Sequence, residues 1–145
     1  IEGFDISHQS GTNVVASMVT FINGASDRTK YRRFKIRTQQ NNDFASMKEV
    51  VTRRLNHLND WGKPDLMLID GGEPQIRAVR DILDKSGIPY IGLAKEFETI
   101  ILPDGTPISI NNNSHIIKLL QRVRDESHRF AVQYHTLLKN KAMLK

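Results

Sequence analysis

The sequence predicts an α/β fold: a mixed five-stranded sheet with helices on both faces and an extra β-hairpin. Three short runs with strand patterns open the chain, the second rich in valine and isoleucine, and turn signals separate them, which is typical of an antiparallel meander. Two near-continuous apolar runs follow, with segments of helical apolar spacing around them. Such runs indicate parallel strands that are covered on both faces. Because strand–helix–strand units cross over right-handed, helices are expected on both faces of the sheet.

The meander takes up the first quarter of the chain. Its predicted strands cover residues 1–7, 14–22 and 31–37. The second strand is rich in valine and isoleucine and ends at Asn23-Gly24, a dipeptide that favours a turn. The third strand alternates basic and apolar residues, which is typical of a strand with one face in solvent. The short connections favour antiparallel neighbours.

The first predicted helix covers residues 44–61, where six apolar side chains recur at helical spacing. Asp43 is well placed to be its N-cap, because a short acidic side chain can accept a hydrogen bond from the first free backbone amides. Gly62 and Pro64 follow the last apolar residue of the pattern and are expected to end the helix.

The rest of the chain alternates between strand and helix before a predicted hairpin and a last helix. The predicted strands cover residues 65–70 and 89–94, and a helix over residues 74–85 lies between them. Residues 98–110 predict a β-hairpin that turns at the sequence PDGT, and residues 114–138 predict a long helix. Three strands, helix, strand, helix, strand, hairpin and long helix is the order of a ribonuclease H-like fold.

Composition sets the class of protein. The 145 residues are 39% hydrophobic, which is enough to bury the core of a single domain spanning residues 1–145. Without cysteine the chain has no disulfide, thiolate metal site or thiol nucleophile. We find no signal peptide and no apolar run of membrane-spanning length, and therefore expect a cytoplasmic protein with no membrane partner. Because the sequence starts within a predicted strand, we expect it to be part of a longer chain.

The net charge of +5 favours a polyanionic partner, and several basic residues occur in pairs. The alternative is a solvated surface that happens to be basic, because charge alone is a weak signal. If the partner is nucleic acid, basic side chains would contact its phosphates. The candidates for this contact are Arg32, Arg33, Arg53, Arg54, Lys95, Arg122, Arg124 and Arg129.

Two aspartates stand out because a carboxylate in a buried strand is costly. Asp5 interrupts the first strand, and Asp70 ends the fourth. If these strands are parallel neighbours, the two residues lie about 4.8 Å apart along the sheet, and their charges repel unless a cation lies between them. Mg²⁺ is commonly held by one or two carboxylates and by substrate phosphates. The alternatives are that Asp70 caps the next helix and that Asp5 pairs with a core arginine.

His128 is the third candidate. It lies on a polar stripe of the last predicted helix, three residues after Asp125. It can complete a metal site or activate an attacking water, and imidazole beside carboxylates suits Mn²⁺ as well as Mg²⁺. The alternative is a solvated helix face with salt-bridged charges. His8 follows Asp5 by three residues and falls on the opposite face of the strand, so a structural role is expected for it.

Six segments together resemble the C-terminal endonuclease domain of the UvrC family, the dual-incision nucleases of bacterial nucleotide excision repair. They cover nearly the whole chain, in order. They are FDISH (residues 4–8), YRRFKI (31–36), DFASMKEVVTRR (43–54), PDLMLIDGG (64–72), GLAK (92–95) and LLQRVRDESHRFAVQYH (119–135). The resemblance implies a ribonuclease H-like fold and a divalent-metal-dependent endodeoxyribonuclease that makes the 5′ incision beside a lesion.

The resemblance also implies a site. The Asp-Asp-His triad of the family corresponds to Asp5, Asp70 and His128, which would be catalytic and would bind Mg²⁺ or Mn²⁺. Asp43 matches a further family carboxylate and is an additional candidate. The implied partners are damaged double-stranded DNA and UvrB, whose binding segment lies outside this sequence. We expect weak activity from this domain alone, because the DNA-binding module of the family is also outside it.

The sequence departs from the family pattern at two positions. Glu73 stands where the family usually has lysine, which puts a phosphate contact there in doubt. Gly3 stands where the family usually has cysteine, and we expect no catalytic consequence. The alternative functions are another ribonuclease H-like nuclease, such as an endonuclease V-type enzyme or a junction resolvase, and a DNA-binding module without catalysis. A nucleotide-binding domain is disfavoured, because the chain has no glycine-rich phosphate-binding motif.

Overall fold

The structure is a computed structural model that describes residues 1–9, 13–38, 42–95, 98–111 and 113–143. Eight strands and four helices account for most of these residues. The strands are β1 (Glu2–Gln9), β2 (Asn13–Ile22), β3 (Ala25–Ser26), β4 (Arg32–Lys35), β5 (Met67–Asp70), β6 (Tyr90–Ala94), β7 (Thr99–Ile101) and β8 (Pro107–Ile108). The helices are α1 (Asp43–Leu55), α2 (Leu58–Trp61), α3 (Glu73–Ser86) and α4 (His115–Met143), and a single 3₁₀ turn spans Arg28–Lys30.

The sheet is mixed, as predicted. Its strand order is β3-β2-β1-β5-β6-β7-β8, and β4 pairs with β2 beside β3. The β1–β2, β2–β4, β6–β7 and β7–β8 pairs are antiparallel, whereas β1–β5 and β5–β6 are parallel. The five predicted strands are β1, β2, β4, β5 and β6. The predicted hairpin, β7 and β8, continues the same sheet beyond β6, and β3 adds two further residues.

The parallel β1–β5 pair sets the position of the candidate site. Glu2 lies opposite Met67 and Phe4 lies opposite Ile69. The next residues along the two strands are Asp5 and Asp70, so the predicted neighbouring position of the two aspartates is confirmed.

Each face of the sheet has its own apolar core, so the prediction of helices on both faces is confirmed. One core lies under α1, α2 and α3, and its members include Phe4, Met18, Phe34, Met47, Val51, Ile69, Ile76, Val79 and Leu83. The other lies under α4, and its members include Val19, Phe21, Tyr31, Leu68, Leu93, Ile117, Leu120 and Val123. Within the described part of the chain, no helix is both long and apolar enough to span a membrane.

The region predicted as one helix over residues 44–61 is two helices, so that prediction is wrong in detail. α1 ends at Leu55, and α2 begins at Leu58 after a turn at Asn56. The apolar spacing ran on to Trp61 because Leu58 and Trp61 pack against the same core after the chain has turned. Spacing reports which face is buried and does not report a change of direction.

The N-cap of α1 was also predicted one residue too late. Asn42 is the N-cap, and its side-chain oxygen accepts a hydrogen bond from the amide of Ala45 at 3.1 Å. Asp43 is the first helical residue. Its carboxylate therefore lies in the first turn, where the helix dipole favours negative charge, and remains free to bond elsewhere.

Candidate active site

Asp5 and Asp70 meet where the pairing of β1 with β5 ends: Asp70 is the last residue of β5, and Asp5 lies in the middle of β1. Asp5 is only 8% exposed. Burial, the charge of Asp70 and a hydrogen bond to the Asp70 carboxylate together raise the pKa of Asp5 to about 7. Lys95 acts weakly in the opposite direction. Asp5 therefore keeps its proton until near-neutral pH. The alternative pairing of Asp5 with a core arginine is not what the structure shows.

Asp70 does not cap the helix that follows it. The N-cap of α3 is Gly72, and the amide of Gly72 donates to the side-chain oxygen of Gln75 at 2.9 Å. Oδ1 of Asp70 is buried and has no hydrogen-bond partner among the described residues. Because Gly72 is the N-cap and Oδ1 of Asp70 bonds to no backbone amide in the described part of the chain, the helix-capping interpretation of Asp70 is wrong. A buried carboxylate oxygen without a partner is costly, which calls for another explanation of Asp70.

Gly71 explains how the chain leaves Asp70 so abruptly. Its φ is +143°, a region that favours glycine. A Cβ at this position would lie 2.5 Å from Cγ of Gln75. A glycine is therefore required here by the backbone turn and by the packing of the Gln75 side chain that caps α3.

His128 reaches the two aspartates from α4. Its Nδ1 lies 3.7 Å from Oδ2 of Asp5, although the His128 side chain is 72% exposed. Asp125, the expected neighbour on the helix, instead contacts Arg124, at 3.2 Å. The structure therefore brings the three predicted catalytic residues together, with the imidazole facing Asp5 rather than a charge on its own helix.

The three side chains line one open cavity of about 670 Å³, called here the main lobe. A second cavity of about 410 Å³, the side lobe, shares Asp70, Lys95 and His128 with the first. The two lobes therefore meet at the aspartates. Other residues lining the main lobe include Ser7, His8, Asp43, Gly71, Gly72, Gln75, Val132 and His135. The side lobe is completed by Glu98, Arg124 and Asp125.

The additional candidate Asp43 lies in the main lobe, where it bonds to His8 instead of joining the aspartate pair. Oδ1 of Asp43 lies 2.6 Å from Nε2 of His8, and both side chains are about half exposed. His8 points to the α1 face of the sheet, opposite to Asp5, as its place in the strand predicted. Both residues nevertheless border the cavity, because it wraps around the end of β1.

Ser7 and His135 were not predicted as site residues. Nε2 of His135 lies 2.8 Å from Oγ of Ser7, and the Ser7 hydroxyl donates to the carbonyl of Val15 at 3.3 Å. The hydroxyl therefore accepts from His135, which donates through Nε2. Desolvation lowers the pKa of His135, so the ring is neutral near pH 7. The available signal was spacing: Ser7 shares a strand face with Asp5, and His135 lies two helical turns beyond His128.

Arg54 is a structural residue, and the prediction that it contacts DNA is wrong. Its side chain is fully buried. Its Nε and Nη2 donate to the two carboxylate oxygens of Glu2, each at 2.7 Å, and Nη2 also donates to the carbonyl of Gly62. The sequence could not distinguish it from Arg53, whose partly exposed side chain pairs with Glu49.

The other candidate arginines are also engaged within the protein. Arg33 packs on two aromatic rings of α4, with its Cζ 3.8 Å from the ring centre of Phe130. Arg124 pairs with Glu98, and Arg129 pairs with Glu126. Arg32 donates to the carbonyls of Thr29 and Tyr31, and Arg122 donates to the carbonyl of Gly24. Lys95 is exposed and lines both lobes, beside Asp70 and His128.

Glu73, which replaces the family lysine, does not line either lobe. It lies in the first turn of α3 and pairs with Arg77, one helical turn further on. Oε1 of Glu73 is also 3.9 Å from Nη2 of Arg80. Its negative charge is thus compensated locally.

The donor set of the site fits a hard divalent cation. Two adjacent carboxylates, one with a buried oxygen that lacks a partner, are the ligand type that Mg²⁺ and Mn²⁺ prefer. Among the described residues, no group of three or more histidine, aspartate or glutamate side chains is placed to hold a metal ion by itself. Two protein carboxylates together with substrate oxygens and water are a sufficient set for Mg²⁺.

Fold and site together define a ribonuclease H-like domain whose candidate active site is built on two aspartates of neighbouring parallel strands. The family model of the UvrC RNase H endonuclease domain matches residues 1–132. The chain belongs to this family, as the sequence resemblance predicted.

Relatives called UvrABC system protein C match nearly the whole chain. The protein of Dehalococcoides mccartyi is 49% identical over 156 aligned positions, which cover 99% of this chain and 26% of the relative. That of Methanosphaera stadtmanae is 46% identical over 100% of this chain and 27% of the relative. That of Methanococcoides burtonii is 52% identical over 93% of this chain and 24% of the relative. The chain thus spans about a quarter of the length of these relatives.

Among solved structures, the chain is similar to Ciona intestinalis endonuclease V, crystallised in complex with an inosine-containing 24mer DNA. The TM-score is 0.47, with 20% sequence identity over 86% of this chain and 55% of that chain. A second structure of that enzyme with a 23mer DNA has a TM-score of 0.46 and 22% identity, over 65% of this chain and 44% of that chain.

Proposed function

We propose that this domain is a divalent-metal-dependent endodeoxyribonuclease that makes the 5′ incision beside a lesion in nucleotide excision repair. The observation that carries the proposal is the aspartate pair in the open cavity. Asp5 has its pKa raised to about 7 beside Asp70, whose Oδ1 has no protein partner. Family membership supports the nuclease class, and the two adjacent carboxylates support a bound cation as the missing positive charge.

Asp5 and Asp70 would hold the cation. Bound Mg²⁺ or Mn²⁺ supplies Lewis-acid activation of the scissile phosphate and a water of lowered pKa. The two aspartates fix where the reacting phosphate lies, because their positions are set by the register of two parallel strands. Rigid placement of this kind is itself a large part of the rate enhancement in phosphodiester hydrolysis.

His128 would complete the site, either as a ligand or by moving a proton at its imidazole. Its position 3.7 Å from Asp5 and its exposure to the cavity allow both roles. Lys95, at the meeting point of the two lobes, would contact a phosphate next to the scissile one. Asp43 would act through His8 at the edge of the main lobe, because these two side chains are bonded to each other.

The substrate would be damaged double-stranded DNA, and UvrB would be a partner through segments of the longer protein. Most candidate arginines are engaged in intramolecular contacts, and Lys95 is the exposed candidate that lines the cavity, so the grip on DNA is limited. Weak nicking by the isolated domain is the expected consequence, and it should weaken further as salt concentration rises.

The test is nicking of a lesion-containing duplex by the purified domain in Mg²⁺ or Mn²⁺. Asp5→Asn and Asp70→Asn should each lower the rate by about 10³-fold, because several kcal/mol of transition-state stabilisation are lost. His128→Ala should lower it by about 10² to 10⁴-fold. Glu73→Gln, which lies outside the lobes, is the matched control and should nick like the wild type.

Two outcomes would count against the proposal. If all three site variants nicked like the wild type, the assignment of the triad would fail. If the wild type bound DNA in a salt-dependent manner that metal did not alter, and gave no product, the domain would be a DNA-binding module without catalysis.

A further inference from the structure

Of the proposed triad, Asp5 and Asp70 lie on parallel strands and His128 lies on α4, so the position of α4 sets the geometry of the triad. The His128 side chain is 72% exposed, so packing around its ring does not hold it in place. Its distance of 3.7 Å from Asp5 depends instead on where the α4 backbone lies on the sheet. The residues that fix this position are therefore those through which α4 contacts strands β1 and β2 on either side of His128.

The first of these contacts is a buried hydrogen bond from β2. Ser17 lies directly opposite Asp5 in the β1–β2 register, so the two side chains share the face covered by α4. Oγ of Ser17 donates to the backbone carbonyl of Ser127 at 3.1 Å and lies 3.2 Å from the Ser127 hydroxyl. Ser17 is 0% exposed and Ser127 is 2% exposed. Ser127 directly precedes His128, so this bond holds α4 immediately beside the imidazole.

The second contact is a close approach one helical turn earlier. A Cβ on Gly3 would lie 2.6 Å from Cγ1 of Val123, a separation that real structures do not tolerate. The same atom would lie 3.4 Å from the side chain of Val19, which pairs with Gly3 across the sheet. α4 therefore lies as close to β1 as a glycine permits. Any side chain at this position must move α4, Val123 or both.

The third contact lies beyond His128 on the same helix. Gly3, Asp5 and Ser7 are alternate residues of β1 and lie on one face of the sheet. Ser7 accepts the hydrogen bond from His135 on α4 at 2.8 Å. Positions on α4 before, next to and after His128 are thus each fixed to the sheet.

We propose that Ser17, with the Gly3–Val123 contact, is a positioning element that sets the distance of His128 from the aspartate pair. Ser17 touches neither substrate nor metal in this proposal and acts through the α4 backbone at Ser127. Gly3 acts through the same helix, contrary to the expectation from the sequence that this position has no catalytic consequence. The proposal rests on the proposed nuclease function for its kinetic consequence, but not for its structural one.

The structural test uses the imidazole resonances of His128, measured by NMR at one fixed pH in metal-free buffer. In the wild-type background, Asp5→Asn should shift these resonances, because the two side chains are in contact. In the Ser17→Ala background, the same substitution should shift them by less than about half as much, because the contact is lost when α4 moves. An undiminished shift in well-folded Ser17→Ala protein would overturn the proposal, whether or not the domain cuts DNA.

The Gly3–Val123 contact allows a second, independent test, in which one substitution disturbs the contact and a second one restores it. Gly3→Ala should weaken the same cross-perturbation between Asp5 and His128. Val123→Ala removes the methyl groups that the new Cβ would meet, so the double variant Gly3→Ala/Val123→Ala should restore it. If Gly3→Ala left the perturbation intact, or if the double variant failed to restore it, the steric part of the proposal would be wrong.

The kinetic arm separates positioning from loss of stability. Ser17→Ala should lower kcat by about 10- to 100-fold with KM for DNA changed less than about twofold, because a displacement near 1 Å at a reacting group has this size of effect. In the His128→Ala background, Ser17→Ala should cost less than about twofold more, because the group it positions is gone. Equal losses in both backgrounds would contradict the proposal.

Ser86→Ala is the matched control. Ser86 also donates its hydroxyl to a helix carbonyl, that of Leu83 at 2.6 Å, but at the end of α3 and away from both lobes. It should reduce thermal stability as Ser17→Ala does and leave kcat unchanged. A wild type that shows the His128–Asp5 cross-perturbation but no nicking would reject the proposed function and leave the positioning role standing.

Discussion

β1 carries two buried carboxylates, three residues apart, with opposite surroundings. Glu2 is 6% exposed and Asp5 is 8% exposed. Glu2 receives two hydrogen bonds of 2.7 Å from the fully buried guanidinium of Arg54. Asp5 instead faces a second carboxylate, that of Asp70, and its pKa is raised to about 7. The protein thus supplies a positive charge for Glu2, from Arg54, whereas Asp5 faces another carboxylate and has room for a positively charged ligand.

This difference shows that burial alone does not mark a functional carboxylate. Both groups pay a similar desolvation cost. What separates them is whether the compensating charge belongs to the fold. A buried acid with a bidentate arginine holds α1 to the sheet, whereas a buried acid beside another acid in an open cavity has capacity left for a ligand. Four experiments test this difference between the two carboxylates.

The largest effect on stability is expected for Glu2, the carboxylate that is paired with an arginine. Arg54→Met should reduce the free energy of unfolding by about 3–5 kcal/mol, because it leaves the Glu2 carboxylate buried and unpaired. Urea denaturation measures this. The double variant Glu2→Met/Arg54→Met should recover most of the loss, since no uncompensated charge remains. A loss below about 1 kcal/mol in Arg54→Met would mean that Glu2 is not held by this pair.

At Asp5, the uncompensated carboxylate, a change of pH should alter the free energy of unfolding by a comparable amount. The pKa of Asp5 is raised from 3.8 to about 7 in the folded state. The resulting stabilisation is complete below about pH 4 and is lost as pH rises to about 7, by up to about 4 kcal/mol in metal-free buffer. The stability of the wild type relative to Asp5→Asn should therefore fall across this range and level off above it. A difference that does not vary with pH would contradict the raised pKa.

A smaller effect is expected from divalent cations. At pH 8, Mg²⁺ or Mn²⁺ at ten times its dissociation constant should stabilise the wild type by about 1.4 kcal/mol. Thermal unfolding should show the gain in the wild type and in Glu73→Gln, but not in Asp5→Asn or Asp70→Asn. Equal gains in all four proteins would place the cation elsewhere on the surface.

The smallest effect concerns Glu73. Glu73→Lys removes the favourable interaction with the α3 dipole and the pair with Arg77, and should cost about 0.5–1 kcal/mol. Since Glu73 lies outside both lobes, the nicking rate should change less than about twofold. A large gain in DNA affinity or rate would show that the residue at this position does reach the substrate.

The sequence predicted the sheet and the aspartate pair because both follow from local patterns joined by a general rule. Apolar runs indicated the parallel strands, and parallel neighbours place their carboxyl ends together. The residues made His128 a candidate beside the alternative of a solvated helix face, and the family resemblance then implied its role. Charge spacing on α4 favoured Asp125 as its partner, whereas the structure gives it Asp5. Packing between distant segments decided that pairing, and spacing within one helix does not report it.

The features that the sequence did not predict share one physical cause. Arg54 and Arg53 are identical residues side by side, and only the approach of Glu2 from another element makes one of them a core residue. Ser17 is an ordinary strand residue until α4 packs over it. The break between α1 and α2 was hidden because both helices bury side chains in the same core. In each case the deciding contact joins residues far apart in the chain.

The proposed site draws on β1, β5 and α4, and these elements are spread over almost the full sequence. During synthesis the two aspartates emerge first, whereas His128 follows only after the sheet strands have been made. A nascent or partly unfolded chain can therefore hold the acidic pair without the imidazole. Under the proposed function, the site is complete only once α4, the last helix, has docked on the sheet.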